Sequence, residues 1–177
     1  MSQILIQQEA TSLDASENII ETKKSYKIIV NEDKVVKTIS DIIPYYNLSD
    51  YIKVFIDDIK DNNLIMIPSS IDEESLNIII GFIEVYSKSN QYKVNEAINE
   101  FKIEISKPIR NEDKLREQIG NENYSYIKSQ IFSRRIFKKI LNAAMCLDVP
   151  ILIEMICAKI AIDIKYLTKV EIDNYFS

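Results

Sequence analysis

The chain has no histidine. Any chemistry would therefore fall to carboxylates, basic side chains and two cysteines. The absence removes Ser-His and Cys-His nucleophile pairs, histidine-ligated zinc and the usual general base near neutral pH. Asp57-Asp58 and Glu73-Glu74 are paired carboxylates, but adjacent helical residues diverge by about 100° and do not share a proton. They read as solvated faces. Arg134, Arg135, Lys138 and Lys139 could greet phosphates or an acidic surface. A net charge of −5 and a pI of about 4.9 fit the wet side of a helix better. Cys146 and Cys157 lack C-x-x-C spacing and read as reduced small hydrophobes, Cys157 among isoleucines being an inert core or interface thiol. Neither Gly81 nor Gly120 belongs to a phosphate loop. The expectation is a protein that is not an enzyme, with no catalytic residue, no metal and no cofactor.

The elements that must carry its function are bounded by size and composition. A chain of 177 residues can bury roughly 70% of its unfolded surface without a disulfide or metal staple. With 46% hydrophobic and 28% charged residues, and only 2 Gly and 4 Pro, it reads as mostly helical rather than as a turn-dense barrel. About one residue in five is isoleucine, a bias that an AT-rich genome would produce and that carries no functional weight. Residues 1–8 show neither a basic start nor an apolar run, so no signal peptide is expected. The longest apolar stretch, Val149 to Ile164, is too short to span a membrane and holds Glu154, Lys159 and Asp163. An intracellular, reducing setting, cytoplasmic or nuclear, is the expectation, with no nucleic acid and no membrane as partner.

Along the chain, residues 1–24 read as a loose N-terminal extension. Tyr26–Val30 and Val35–Ile39 are β-branched runs around a polar turn, a hairpin. Ser40 or Asp41 can cap a short helix that stops near Pro44, and Ser49 can cap a helix over 51–59. Leu64 to Ile67, ended by Pro68, predicts a buried third strand. Ser70 with Glu73 spells a capping box before a helix with Leu76, Ile79, Ile80 and Ile83 on one stripe. Residues 87–125, broken by Pro108 and Gly120, read as an irregular connector or insertion with an extra strand near Phe101–Ile105. Ile136, Phe137, Ile140, Leu141, Ala144 and Leu147 then form an apolar helix face. Asp148 reads as the next N-cap with Pro150 in the first turn, and Thr168 with Glu171 as a last capping box.

One segment asks for a partner. On a wheel of about 100° per residue, Val149, Ile153, Ile156, Cys157, Ile160 and Ile164 make one stripe. Ile151, Met155, Ala158 and Ile162 make a second on the far side. A helix apolar nearly all round is buried, inside a core or between its own core and another chain. Either the tail helix and a neighbour cover both stripes, or a partner covers one.

These residues also carry a family likeness. Ala143-Ala144-x-x-Leu147-Asp148 resembles the A-A-N-Y-L-D run of the Skp family, adaptors of SCF ubiquitin ligases. Leu152, Cys157 and Ala161 fall where that family has Leu, Cys and Ala. Ile164-Lys165-x-x-Thr168-x-x-Glu171-Ile172-x-x-x-Phe176 is similar to its I-K-x-K-T-P-E-E-I-R-x-x-F run. Ser49-x-x-Ile52-Lys53 with Asp58, and Ile65-Met66-Ile67-Pro68, resemble its earlier helix and strand. The resemblance covers about 26–86 and 126–177. It implies an α+β fold: a BTB/POZ-like domain over 25–147, with a small sheet packed against helices, followed by F-box-binding helices over 148–177. It implies F-box contact by Cys157, Ile160, Ile164, Leu167, Ile172 and Phe176, and cullin contact by Met145 and Cys146. The function so implied is an adaptor that bridges an F-box protein to a cullin for ubiquitination. The sequence departs from the family where Met145-Cys146 replaces Asn-Tyr and Lys169 replaces Pro. An F-box-binding decoy, or a divergent BTB interaction module without cullin binding, is the alternative, with self-association when unpartnered.

Overall fold

The computed structural model of the protein describes residues 25–30, 34–58, 63–89 and 111–177. Strands β1 (Tyr26–Val30) and β2 (Lys34–Ile39) pair antiparallel, with a register shift between Ile28 and Ile29. Strand β3 (Leu64–Met66) adds parallel to β1, giving the order β2-β1-β3. Ile28, Ile29, Val30 and Ile65 are buried, as befits the central strand and its parallel neighbour. The rest of the described chain is mostly helical, so the architecture is α+β with a small three-stranded sheet.

Between β2 and β3 lie α1 (Ile43–Leu48) and α2 (Asp50–Asp58). Pro44 occupies the first turn of α1. It opens that helix instead of stopping it, because the N–H that proline lacks has no helical partner there anyway. Helix α3 (Glu73–Ser89) runs through the core, burying Leu76, Ile78, Ile79, Ile80, Phe82, Ile83 and Tyr86. Its cap differs from the predicted Ser70 box: Asp72 Oδ1 accepts from the Ser75 N–H at 2.8 Å. Glu84 on α3 ties in the other layers, pairing with Lys37 of β2 and accepting from the Tyr45 hydroxyl of α1 at 2.9 Å. Burial, then this bond, pushes the Tyr45 phenol far up.

The expected connector is partly helical. Residues 90–110, with the extra strand expected near 101–105, lie outside the described residues. Beyond them come α4 (Glu112–Ile119) and α5 (Asn121–Ile127). Asn111 caps α4 by accepting from the Lys114 N–H at 2.9 Å. Gly120 divides the pair at φ 84°, a backbone that side chains resist. Buried Asn123 donates to the Ile119 carbonyl at 2.7 Å, which satisfies the end of α4. Tyr126 of α5 donates to the Ile78 carbonyl at 2.8 Å and lies directly over Gly81, where a Cβ would overlap its hydroxyl. Glycine there permits close packing of α3 on α5.

A π-helical turn (Lys128–Phe132) leads to α6 (Phe137–Cys146), α7 (Pro150–Ile164) and α8 (Lys169–Phe176). Phe137, Ile140, Ala143, Ala144 and Leu147 are buried, so the apolar face read for α6 packs inward. The start of α3 engages two basic residues near the beginning of α6: Arg134, just before the helix, pairs with Glu74, while Lys139 reaches Glu74 at 2.7 Å and Asp72 at 2.9 Å. The predicted cap of α7 is corrected. Val149 holds the N-cap position without a side-chain bond, and Asp148 stands in left-handed backbone at φ 46°. The Thr168–Glu171 capping box on α8 forms in full.

Candidate functional site

The α6–α7 hairpin turns within three residues. The N–H groups of Leu147, Asp148 and Val149 donate to the carbonyls of Ala143, Met145 and Ala144 at 3.0, 3.2 and 3.0 Å. Ser49 fixes α2 against this turn. Its hydroxyl donates to the Leu147 carbonyl at 2.5 Å and accepts from the Ile52 N–H at 3.2 Å, while the Asp50 N–H donates to the Asp148 carbonyl at 3.0 Å. Ser49 thus caps α2 as expected and also splices it to a turn distant in sequence.

That splice builds the first candidate surface. Met145 and Cys146, both exposed, share a groove of about 640 Å³ with Tyr51, Val54 and Phe55 of α2. The Tyr51 and Phe55 rings stack at 6.0 Å, and the Tyr51 hydroxyl donates to the Met66 carbonyl at 2.7 Å. Asp50, Asp58 and Asp148 complete the lining. Asp57 points elsewhere, accepting from the Tyr46 hydroxyl at 3.2 Å, so the Asp57-Asp58 pair diverges. Sequence reasoning found Met145 and Cys146 but not their α2 neighbours, whose spacing carries no sign of a distant helix.

The second surface is the outer side of α7. Ile151, Leu152, Met155, Ile156 and Lys159 face the core. This corrects both predicted stripes: Val149 and Ile156 of the first, and Ile151 and Met155 of the second, are buried. What is left outside is Cys157, exposed, with Ile153, Ile160 and Ile164 half-buried along one side and Ala158 and Ile162 along the other. Cys157 is therefore no core thiol. Glu154 shares this outer face, and desolvation among its apolar neighbours raises its carboxyl above the ordinary range. Tyr166 and Val170, 84% and 69% exposed, extend the apolar area past the end of α7. Neither belongs to the helical periodicity that marked the rest.

Leu167 and Phe176 sit differently. They line a groove between α8 and the 132–138 segment whose lining includes none of Cys157, Ile160, Ile164 or Ile172. Phe176 packs edge-on to Phe137 at 5.9 Å, with the Lys138 ammonium 5.7 Å over its ring. Tyr175 packs on Phe137 at 5.1 Å and donates to Asp163 at 2.9 Å. Ile172 is half-buried on the same helix. Of the six residues, then, Cys157, Ile160 and Ile164 share the outer face of α7, while Phe176 is held against the body of the protein.

Beneath α7 lies a feature that spacing could not reveal. Lys159 is buried, its ammonium pairing with Asp163 one turn on and with Glu112 of α4 at 3.0 Å, 5.1 Å over the Phe132 ring. Glu112 also accepts from the Tyr124 hydroxyl at 2.6 Å. The hydrogen bonds from Tyr124 and Lys159 hold its carboxyl below the usual range, and burial with this bond pushes Tyr124 up to about 12.

Among the described residues no group of His, Cys, Asp and Glu could hold a metal ion, and no helix is long and apolar enough to cross a membrane. No family model, curated protein or solved structure matches the chain. The site defines a surface-bearing protein with two exposed apolar areas on one helical hairpin.

Proposed function

We propose that the protein is a non-enzymatic adaptor that joins an F-box protein, on the outer face of α7 and the segment that follows, to a cullin at the Met145–Cys146 groove. The observation that carries this reading is the outer face of α7: Cys157 is exposed, Ile153, Ile160 and Ile164 are half-buried, and the described residues leave the rest of this face, which is in register with the Skp-like run, uncovered. Covering the exposed remainder of three isoleucines and Leu167 would contribute on the order of 1 kcal/mol each, enough for a specific contact once α8 adds its own. Function would be positional, two interfaces on one body raising the local concentration of one partner near the other.

The test is co-expression with a panel of F-box domains, followed by size-exclusion chromatography with light scattering. A 1:1 complex is expected. Cys157→Glu, at an exposed position, and Ile160→Asp should each weaken it roughly 100-fold, with the Cys157 variant keeping the parent melting temperature. Full binding by both variants would sink the assignment. The second reading, an F-box-binding protein without a cullin, is favoured by Met145-Cys146 standing where the family has Asn-Tyr; a stable F-box complex that retains no cullin would establish it.

A further inference from the structure

We infer that the groove between α2 and the end of α6 takes a partner segment presenting an apolar side chain flanked by cationic ones. The inference rests on the two-interface reading for its biological role and names the chemistry of the second partner. The floor is apolar and open: Val54 is 59% and Met145 61% exposed, beside the stacked Tyr51 and Phe55 rings. The rim is acidic throughout, formed by Asp50, Asp58 and Asp148, with no basic residue in the lining.

Several carboxylates elsewhere in the protein are compensated. Glu73, Glu74, Glu84, Glu112 and Asp163 each hold a lysine or arginine. The three rim carboxylates hold none among the described residues. Two of them stand where local forces resist them. Asp58 closes α2 at the negative end of the helix. Asp148 occupies left-handed backbone that favours glycine. An uncompensated acidic ring around an open apolar floor is the complement of a basic-apolar segment. The same ring opposes a second copy of this chain, because an isologous contact would set like charges face to face.

The test titrates the full chain, carrying ¹³C-labelled Met and Val methyl groups, with two amphiphiles of equal chain length, hexylammonium and hexanoate. The Val54 and Met145 methyl signals should shift saturably with hexylammonium, at least five-fold tighter than with hexanoate. High salt should collapse that ratio as screening shortens to a few ångström. Asp50→Asn with Asp58→Asn should bring it below two. Equal affinity for the two probes, or shifts that spread over the molecule without saturating, would overturn the inference. Its failure is separable from that of the adaptor reading. A chain that prefers hexylammonium at Met145 yet retains no cullin keeps the groove chemistry and loses the cullin. A chain that binds a cullin with no loss on Asp50→Asn with Asp58→Asn keeps the cullin and loses the chemistry.

Discussion

Asp148 shows how much one backbone angle decides. At φ 46° its Cβ crowds the following carbonyl, a strain that Asp and Asn tolerate better than other side chains because they bond locally. The angle is imposed from both sides, since the Asp148 N–H donates to Met145 and its carbonyl accepts from Asp50. Replacing Asp148 by Ala should therefore cost about 1 kcal/mol more than replacing it by Gly, roughly 3 °C in melting temperature for a chain of this size. A thermal melt in which the two variants coincide would mean that the turn is not held in this conformation. Cap patterns in sequence are blind to such a residue: Asp before Pro reads as an N-cap, and only the turn reveals that Val149 took that place. Gly81 is unreadable for the complementary reason, since its need for glycine comes from Tyr126 on another helix.

At the scale of elements, Lys159 ties α7 to α4 and to the π-helical turn, and magnitudes decide what its removal would do. Its side chain is 7% exposed, whereas those of Glu112 and Asp163 are 37% and 22% exposed. Lys159→Met deletes the buried charge and leaves both carboxylates access to water, so stability should stay within about 1 kcal/mol. Glu112→Gln with Asp163→Asn orphans the ammonium and should cost about 3 kcal/mol. The pH dependence follows from Glu112, whose folded pKa lies below its ordinary value. Such a group stabilises fully above the unfolded pKa and loses that contribution as pH falls through the folded one. Urea denaturation should thus separate the parent from Glu112→Gln at pH 7 and narrow the gap progressively as pH falls below the ordinary carboxylate range; a gap that stayed constant on acidification would remove Glu112 from this role. Elements with local signals were legible. The hairpin, α3 and the Thr168–Glu171 box each declare themselves within one turn or one β-branched run. Helices α4 and α5 were not, because only Leu115 and Ile119 mark α4 as amphipathic and Gly120 interrupts the pattern. The partner of Lys159 was beyond reach for the same reason that it matters: it comes from a separate helix.

For the whole molecule, the apolar surplus of α7 was legible as a quantity but not as a direction. Periodicity counts apolar residues around a wheel; the core buried Ile151, Leu152, Met155 and Ile156, leaving Cys157 exposed and Ile153, Ile160 and Ile164 half-buried. The groove at Met145 was half legible, since the α2 wall arrives only through the Ser49 splice. The two surfaces share the α6–α7 hairpin and no lining residue, and the proposed adaptor role needs that independence. If each face works alone, Met145→Asp, at a 61% exposed position, should change the melting temperature by no more than a degree or two and leave F-box affinity within two-fold, while abolishing capture of the second partner. Isothermal titration of the F-box domain against parent and variant measures the first effect, and a ternary mass by light scattering the second. Additivity is the expectation for sites that share no side chains. A loss of F-box affinity beyond three-fold in Met145→Asp would instead mean that the short α6–α7 turn couples the faces, so that the protein senses one partner while it binds the other.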